Sequence, residues 1–464
     1  MSDQKMTRRN FVETAAKGGA GLAALSSVGA PAILGARSPS NVLGIAMIGV
    51  GVRGYGSLMG DIQSVPNTEI RVICDVYDGH ISRALEKCQN EKVNTTKEYR
   101  EVLERDDIDA VIIAVPDHLH ARFTIDAAQA GKDIYVEKCL CRSIPEARAM
   151  VKAVKENRRV LQLGHDGRSS PSMVQARNIA ASGELGKITY VRSHCYRNST
   201  VAQWRWYSSY DNYQMPSDAT PDHIDWERFL GSAPKRPFDV YRFFHWRCYW
   251  DYGTGIAGDL LSHSLDGIQS VLRMGVPSSC VTTGGIYYWK DGREVPDTWN
   301  AVYDYPDQDL AITYGCEFNN ERYGFGTEYF GKAGSMEIAE EKVCVYAEPE
   351  TERFEKHLQS LKENSGEGEG SLTEKARITP VQVFGPNSDL AVTTHMEDFV
   401  NAVRSRGRPR CNEDEAWVEA VIVMMSVAAF RERRQVFWDP EREKIVTSPP
   451  KSLDTSNSGR EGLT

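Results

Sequence analysis

Taking hydrogen from a secondary alcohol requires a base for the hydroxyl proton and a group that steadies the oxygen left behind. Lys138, Asp259 and His263 have the side chains for this work. A lysine ammonium can hold the hydroxyl and stabilise developing alkoxide charge. Histidine titrates closest to neutrality, which makes His263 the candidate general acid/base. Asp259 can orient the imidazole or bind a neighbouring hydroxyl. Lys138 closes the run Tyr135-Val136-Glu137, while Asp259, His263 and Asp266 follow the turn Gly253-Thr254-Gly255-Ile256-Ala257-Gly258. Their i, i+4, i+7 spacing predicts a helix with all three on one face. A histidine alone would be read as a satisfied core residue. Beside the lysine, the aspartate and the glycine turn it reads as catalytic.

Such chemistry also needs a hydride acceptor, and the sequence carries a place for one. The apolar run Val42–Val50 leads into Gly49-Val50-Gly51-Val52-Arg53-Gly54, a helical pattern follows, and a second apolar run, Ile70–Cys74, ends at Asp75. In a G-x-G-x-x-G turn between strand and helix, glycines let the backbone approach a pyrophosphate at the helix N-terminus. Asp75 stands where the fingerprint places its ribose-binding acid, and it would repel a 2′-phosphate, so the cofactor is expected to be NAD rather than NADP. Further apolar runs at Ala110–Val115, Ile134–Val136 and Val160–Leu163 alternate with helical stretches at His118–Ala130 and Pro145–Asn157. That alternation predicts a doubly wound parallel sheet, a Rossmann domain. Ligands of such sheets bind at the carboxyl ends of the strands, where Pro116, Asp117 and His120 follow the third strand and Glu137-Lys138 the fourth.

These clusters together resemble the glucose–fructose oxidoreductase, inositol dehydrogenase and MocA (Gfo/Idh/MocA) family. The residues that carry the resemblance are Gly49/Gly51/Gly54, Pro116 with His120, Glu137-Lys138, and Asp259/His263/Asp266, with Trp438-Asp439-Pro440 similar to carbohydrate-related members. It runs from residue 42 to about 445. Two positions depart from the family pattern: Cys139 stands in place of a proline after the lysine, and Leu261 in place of a glycine between Asp259 and His263. The resemblance implies NAD held by Gly49, Gly51, Val52, Arg53, Gly54, Asp75, Pro116, Asp117, His120, Glu137 and Lys138, with Lys138, His263 and Asp259 catalytic. It also implies either of two net reactions, oxidation and reduction of sugars or glycoside cleavage by transient oxidation and elimination. A non-catalytic sugar- and NAD-binding protein is the third reading, against which the presence of both Lys138 and His263 weighs.

Past residue 165 the pattern becomes β-rich, with runs at Lys187–Cys195, Val281–Tyr288, Trp299–Tyr305, Leu310–Phe318 and Gly324–Phe330. The reading is an α+β domain with a large open, mostly antiparallel sheet. Between its strands lies an aromatic- and arginine-dense insertion containing Trp204-Arg205-Trp206-Tyr207 and the stretch Tyr241–Tyr252. Flat rings suit stacking on sugars, so Trp204, Arg247 and Tyr252 are candidate substrate residues. His165 and Arg168, just past the last parallel strand, are candidates for the cleft edge. An acidic, glycine-rich stretch at 363–370 is expected to be a mobile loop.

Composition narrows the class. Hydrophobic residues make up 41% and charged residues 26%, an ordinary globular balance, and 464 residues suffice for two or three domains. A net charge of −9 argues against nucleic acid, and Arg404, Arg406, Arg408 and Arg410 read as a solvated helix end. The ten cysteines lack paired metal spacing, so no metal site is expected and most should be buried. Thr7-Arg8-Arg9-Asn10-Phe11-Val12 and the weakly apolar stretch after it read as a twin-arginine export signal, with no membrane insertion. The expected division is a signal at 1–36, the Rossmann domain at 37–165, an α+β domain for substrate and oligomerisation at 166–445, and a polar tail at 446–464. A periplasmic homo-oligomer working on a sugar would have no supply of free NAD, which favours a tightly held, recycled cofactor.

Overall fold

The computed structural model describes residues 42–205, 215–364, 369–385 and 393–450. The twin-arginine segment, Trp206, Tyr207, residues 365–368 of the acidic stretch, and the tail from 451 lie outside the described residues.

Six short strands carry the apolar runs of the first half: β1 (Leu43–Ile48), β2 (Thr68–Cys74), β3 (Asn94–Thr96), β4 (Ala110–Ile113), β5 (Asp133–Glu137) and β6 (Leu161–Gly164). They form one sheet in the order β3-β2-β1-β4-β5-β6, every pair parallel. Strand geometry sends alternate residues to opposite faces. Ile45, Met47, Ala110, Ile112 and Tyr135 therefore join the core on one side, while Ala46, Ile48, Val111, Ile113, Ile134 and Val136 join the core on the other. Both faces are covered, which is why these strands are continuously apolar. The first strand stops at Ile48 because Gly49 turns the chain at φ +88°.

The covering helices come partly from the far end of the chain. Met396, Phe399, Val400 and Val403, on the helix His395–Ser405, pack with Met59 and Ile62 on one face. Ala416 and Ala420, on the helix Glu413–Glu432, pack with Ala147 and Met150 on the other. The N-terminal core thus includes residues from well beyond 165. Arg406 reinforces this return through Asp133 at 2.5 Å, Arg408 pairs with Asp414, and Arg410 approaches Asp398 at 3.7 Å. Three of the four arginines are therefore ion-paired, and Arg404 donates to the Pro66 and Asn67 carbonyls.

The second sheet has ten strands: β7 (Ile188–Tyr196), β8 (Ser279–Gly285), β9 (Thr298–Tyr305), β10 (Leu310–Glu317), β11 (Phe325–Gly331), β12 (Gly334–Ala339), β13 (Lys342–Ala347), β14 (Gln382–Phe384), β15 (Val436–Asp439) and β16 (Lys444–Val446). Their order is β14-β13-β12-β11-β7-β10-β9-β8-β15-β16, antiparallel except for β7 beside β10. One face buries Trp299, Ala301, Tyr303, Ile312, Tyr314 and Tyr329 against residues of the helices Ser262–Leu272 and Glu413–Glu432. On the opposite face, the cross-strand pair Val281 and Val302 is exposed. The late Trp438 lies in β15, edge-on to Trp417. All ten cysteines are free, and all except Cys88 and Cys344 are buried. No helix among the described residues is long and apolar enough to cross a membrane.

The fold makes a direct prediction. Phe399 is wholly buried against the parallel sheet. Phe399→Ala should lower the stability of the full chain by about 3–5 kcal/mol, measured by urea unfolding. A loss below about 1 kcal/mol would show that this helix does not complete the N-terminal core.

Candidate active site

The carboxyl ends of β1, β2, β4 and β5 open onto a cleft of about 1070 Å³. At one end lies the glycine turn. A Cβ on Gly54 would sit 2.2 Å from the Gly49 carbonyl oxygen, and one on Gly49 would sit 2.6 Å from that of Ala114. Only glycine lets the turn fold this tightly. Gly49, Gly51, Val52 and Arg53 line the cleft; Gly54 is buried beneath them and serves the packing of the turn. Arg53 is held by Glu137 at 2.8 Å and Asp166 at 2.9 Å.

Asp75 lines the same end and does more than its position in sequence implies. Its Oδ2 accepts the Val50 amide at 2.8 Å, and its Oδ1 accepts the Tyr77 amide at 3.0 Å. Burial alone would raise this carboxyl, but His80 and the two amides outweigh burial and hold it below the usual range. An ionised carboxylate thus braces the glycine turn and faces the cleft. The tight glycine turn, the helix start behind it and this acid fit a dinucleotide.

At the other end the structure brings Lys138, Asp259 and His263 together. Lys138 Nζ donates to the Asp259 carbonyl at 2.7 Å and to its Oδ1 at 2.9 Å. Arg247 Nε donates to the same Oδ1 at 3.1 Å, and Trp204 Nε1 donates to Oδ2 at 2.6 Å. Burial would raise the Asp259 carboxyl, but Lys138 and Arg247 dominate and keep it ionised, far below the ordinary carboxylate range. His263 opens onto the cleft at its floor. The enclosing protein, then the Lys138 ammonium, push its imidazole well below the ordinary histidine value. It therefore stands neutral, able to accept a proton.

Several expected site residues lie elsewhere. His120 is 1% exposed, and its ring nitrogens lie 2.8 Å from the Cys139 and Val115 carbonyls. It fixes the two strand-end loops and does not line the cofactor cleft. His165 is buried behind His263. Arg168, also buried, pairs with Asp266 at 2.6 Å and Glu415 at 2.9 Å, so neither His165 nor Arg168 edges the cleft. Asp266 faces Arg168 instead of sharing a face with Asp259, because a wide, π-type turn at Ala257–Leu261 shifts the helical phase. Tyr252 has no exposure and packs on His118 and Phe229. Trp204 is equally buried, at the unusual φ of 71°, and reaches the site only through Asp259.

Of the five substrate candidates, only Arg247 lines the cleft. Pro116 and Asp117 line it too, with Asp117 accepting from Thr254 Oγ1 at 3.1 Å. Cys139 is buried against Thr254 and the Cys141 carbonyl, and the Lys138–Cys139 peptide is cis. Leu261 is buried in the core behind the helix, away from the cleft. Trp246 and Arg197 line the cleft without having been picked out by sequence. Trp246 stacks under Arg247 at 4.2 Å, a pairing that their adjacency could have signalled. Arg197, one residue beyond β7, offers no spacing that marks it.

Comparison with known proteins places this geometry. Residues 43–165 match the model described as oxidoreductase family, NAD-binding Rossmann fold, and residues 171–325 match that family's C-terminal alpha/beta domain. The chain belongs to the Gfo/Idh/MocA oxidoreductase family. Its N-terminal domain is a NAD-binding Rossmann domain. A levoglucosan dehydrogenase of Pseudarthrobacter phenanthrenivorans is 33% identical over 142 residues, covering 30% of this chain and 36% of that protein. An inositol 2-dehydrogenase of Salmonella typhimurium is 28% identical over 160 residues, covering 34% and 47%. A glycosyl hydrolase family 109 protein of Shewanella is 28% identical over 153 residues, covering 32% and 33%. The chain therefore spans less than half the length of each. A levoglucosan dehydrogenase solved with NADH and levoglucosan shares the fold, with a TM-score of 0.59 at 20% identity over 85% of this chain and 99% of that one.

Asp75 yields the test of this end of the cleft. Asp75→Ser should weaken NAD binding and narrow the preference for NAD over NADP by about tenfold or more, a difference of about 1.4 kcal/mol, read by calorimetry. An unchanged ratio of affinities would remove Asp75 from the ribose site.

Proposed function

We propose that this protein is an NAD-dependent oxidoreductase acting on a hydroxyl of a sugar or glycoside, outside the cytoplasm, with its NAD tightly held and recycled in place. The observation that carries the reading is the meeting of Lys138, ionised Asp259 and neutral His263 on the floor of the dinucleotide cleft. NAD bound there supplies the hydride acceptor. The likeness to sugar and inositol dehydrogenases supports a polyhydroxylated substrate.

The residues divide the remaining work. An ammonium has three N–H donors, and Asp259 takes two of those of Lys138. The third holds the substrate hydroxyl, and the positive charge stabilises the oxygen as its proton leaves. His263 accepts that proton. Asp259 keeps the ammonium in place, and Arg247 beside it can donate to a second hydroxyl. The likeness to the family 109 glycosyl hydrolase supports a second net reaction with the same groups. Oxidation to a ketone acidifies the adjacent C–H, elimination expels the aglycone as an alcohol, water adds to the resulting enone, and return of the hydride from NADH to the ketone closes a net hydrolysis without a free carboxylate pair.

Lys138→Ala and His263→Ala should each slow single-turnover reduction of bound NAD by roughly a hundred- to ten-thousand-fold, with nucleotide content retained, across a panel of sugars and glycosides. A variant as fast as wild type would exclude that residue, and a wild type inert with every carbohydrate would favour the binding-protein reading. Because His263 is depressed, its proton-accepting form persists below the usual histidine range. The acid limb of the oxidation rate should therefore lie below about pH 6.5, and a limb above that value would assign the base elsewhere.

Location and assembly are tested separately. Arg8→Lys with Arg9→Lys should leave the protein unprocessed in the cytoplasm, since lysine does not reproduce the paired guanidinium groups. Normal export of that variant would overturn the signal. The face of the ten-stranded sheet that exposes Val281 and its cross-strand partner Val302 is where a second copy would pack. Sedimentation as a monomer would overturn that assembly.

A further inference from the structure

Behind His263 the protein buries an imidazole and a carboxylate that the oxidation itself does not use. His165 and Glu419 are each 1% exposed, and His165 Nε2 lies 3.4 Å from Glu419 Oε1. The His165 ring meets the His263 ring edge-on, with centroids 5.4 Å apart and planes at 83°. His165 follows β6, Glu419 sits on the helix Glu413–Glu432, and His263 on the helix Ser262–Leu272. The three side chains thus run as a file from the core to the cleft floor, and only His263 reaches the cleft. Burying a carboxylate costs several kcal/mol unless a partner compensates, and an apolar side chain of similar size would fill the same space at less cost. Packing alone gives no reason for a glutamate here.

We propose that Glu419 is a positioning residue for proton transfer: through His165 it fixes a positive charge against the back of His263 and keeps His263 in its proton-accepting form. The inference rests on the reading of His263 as the base.

Of the two carboxylates that act on His165, Asp266 is ion-paired with Arg168, and Glu419 is the one set against the ring nitrogen. Arg168 is already satisfied by Asp266 and Glu415, at 2.6 and 2.9 Å. Burial would lower the His165 imidazole, but Asp266 and Glu419 together outweigh burial and the opposing Arg168, and they raise it. His395 lies on the same side and is itself lowered, mainly by burial. Facing His263, burial, Lys138 and His165 all lower its proton affinity, while Asp259 and Asp166 raise it. A cation at His165 therefore works in the same direction as Lys138, from the opposite side of the ring.

The test uses the full chain carrying NAD, with its histidines isotopically labelled for an NMR titration and His263 assigned by its loss in His263→Asn. Glu419→Gln should raise the His263 titration by about one pH unit, the effect of removing one nearby charge. The acid limb of the oxidation rate should move up by the same amount, with bound nucleotide retained. Glu419→Asp, which keeps the charge, should move both back toward wild type. Should Glu419→Gln fail to fold, His165→Gln removes the same cation and should give the same shift. A fall in rate that is equal at every pH, with the His263 titration unmoved, would overturn the proposal and leave Glu419 a purely structural role. A shifted titration in a protein that oxidises no sugar would uphold the electrostatic inference and overturn the enzyme reading.

Discussion

The carboxylate of Asp259 receives hydrogen bonds from three side chains that arrive from different stretches of the chain: Lys138 after β5, Trp204 after β7, and Arg247 before the glycine turn. A buried charge is tolerated only when it is paired and its lone pairs are satisfied. Here satisfying the charge also settles the site. Lys138 is drawn across from the parallel sheet to the helical turn that carries Asp259, so the two halves of the molecule meet at a salt bridge. The same turn leads into the helix of His263, which sets the imidazole beside the ammonium. Trp204, held at an uncommon backbone angle, closes the last oxygen of the carboxylate. The groups proposed for catalysis are ordered by one another.

The parallel sheet could be read from the sequence because both its faces are covered, and continuous apolar runs are what such coverage demands. The short β3, Asn94–Thr96, has no apolar run and left no mark. Neither did the hairpin of β12 and β13, for a chemical reason. Its turn is made by Glu340 and Glu341, both at positive φ, where asparagine or glycine would have been the recognisable signal. Within the site, Gly49, Asp75, Lys138 and Asp259 stood out because backbone geometry or ionic chemistry restricts what can occupy them. Arg197 did not, since an arginine just past the end of a strand has no pattern to distinguish it from any surface residue.

The aromatic and basic residues that looked like sugar contacts divide on a physical line. Tyr252 and Trp204 have no exposed surface, and Arg168 spends its guanidinium on two carboxylates. Large rings beside a polar cleft are as valuable for building its wall as for touching its contents. In sequence the two uses look the same, because both want flat, apolar bodies with one polar atom. Only the path of the chain separates them. The phase of the helix after Ala257 was hidden for a similar reason: one extra residue in a turn moves Asp266 off the face that regular spacing assigned to it.

The helices His395–Ser405 and Glu413–Glu432 each lay apolar residues against the sheet made by the first third of the chain. That sheet therefore has no complete set of neighbours until almost the whole protein has been synthesised. During translation this half would emerge with residues such as Met150, on a covering helix, and Ile112, on β4, still waiting for partners from beyond residue 395. The nucleotide-binding half is a discontinuous unit, so a fragment cut at residue 165 would be an unfinished one, whatever its sequence pattern promises. The sheet beneath its cofactor cleft is complete only when those two helices have arrived.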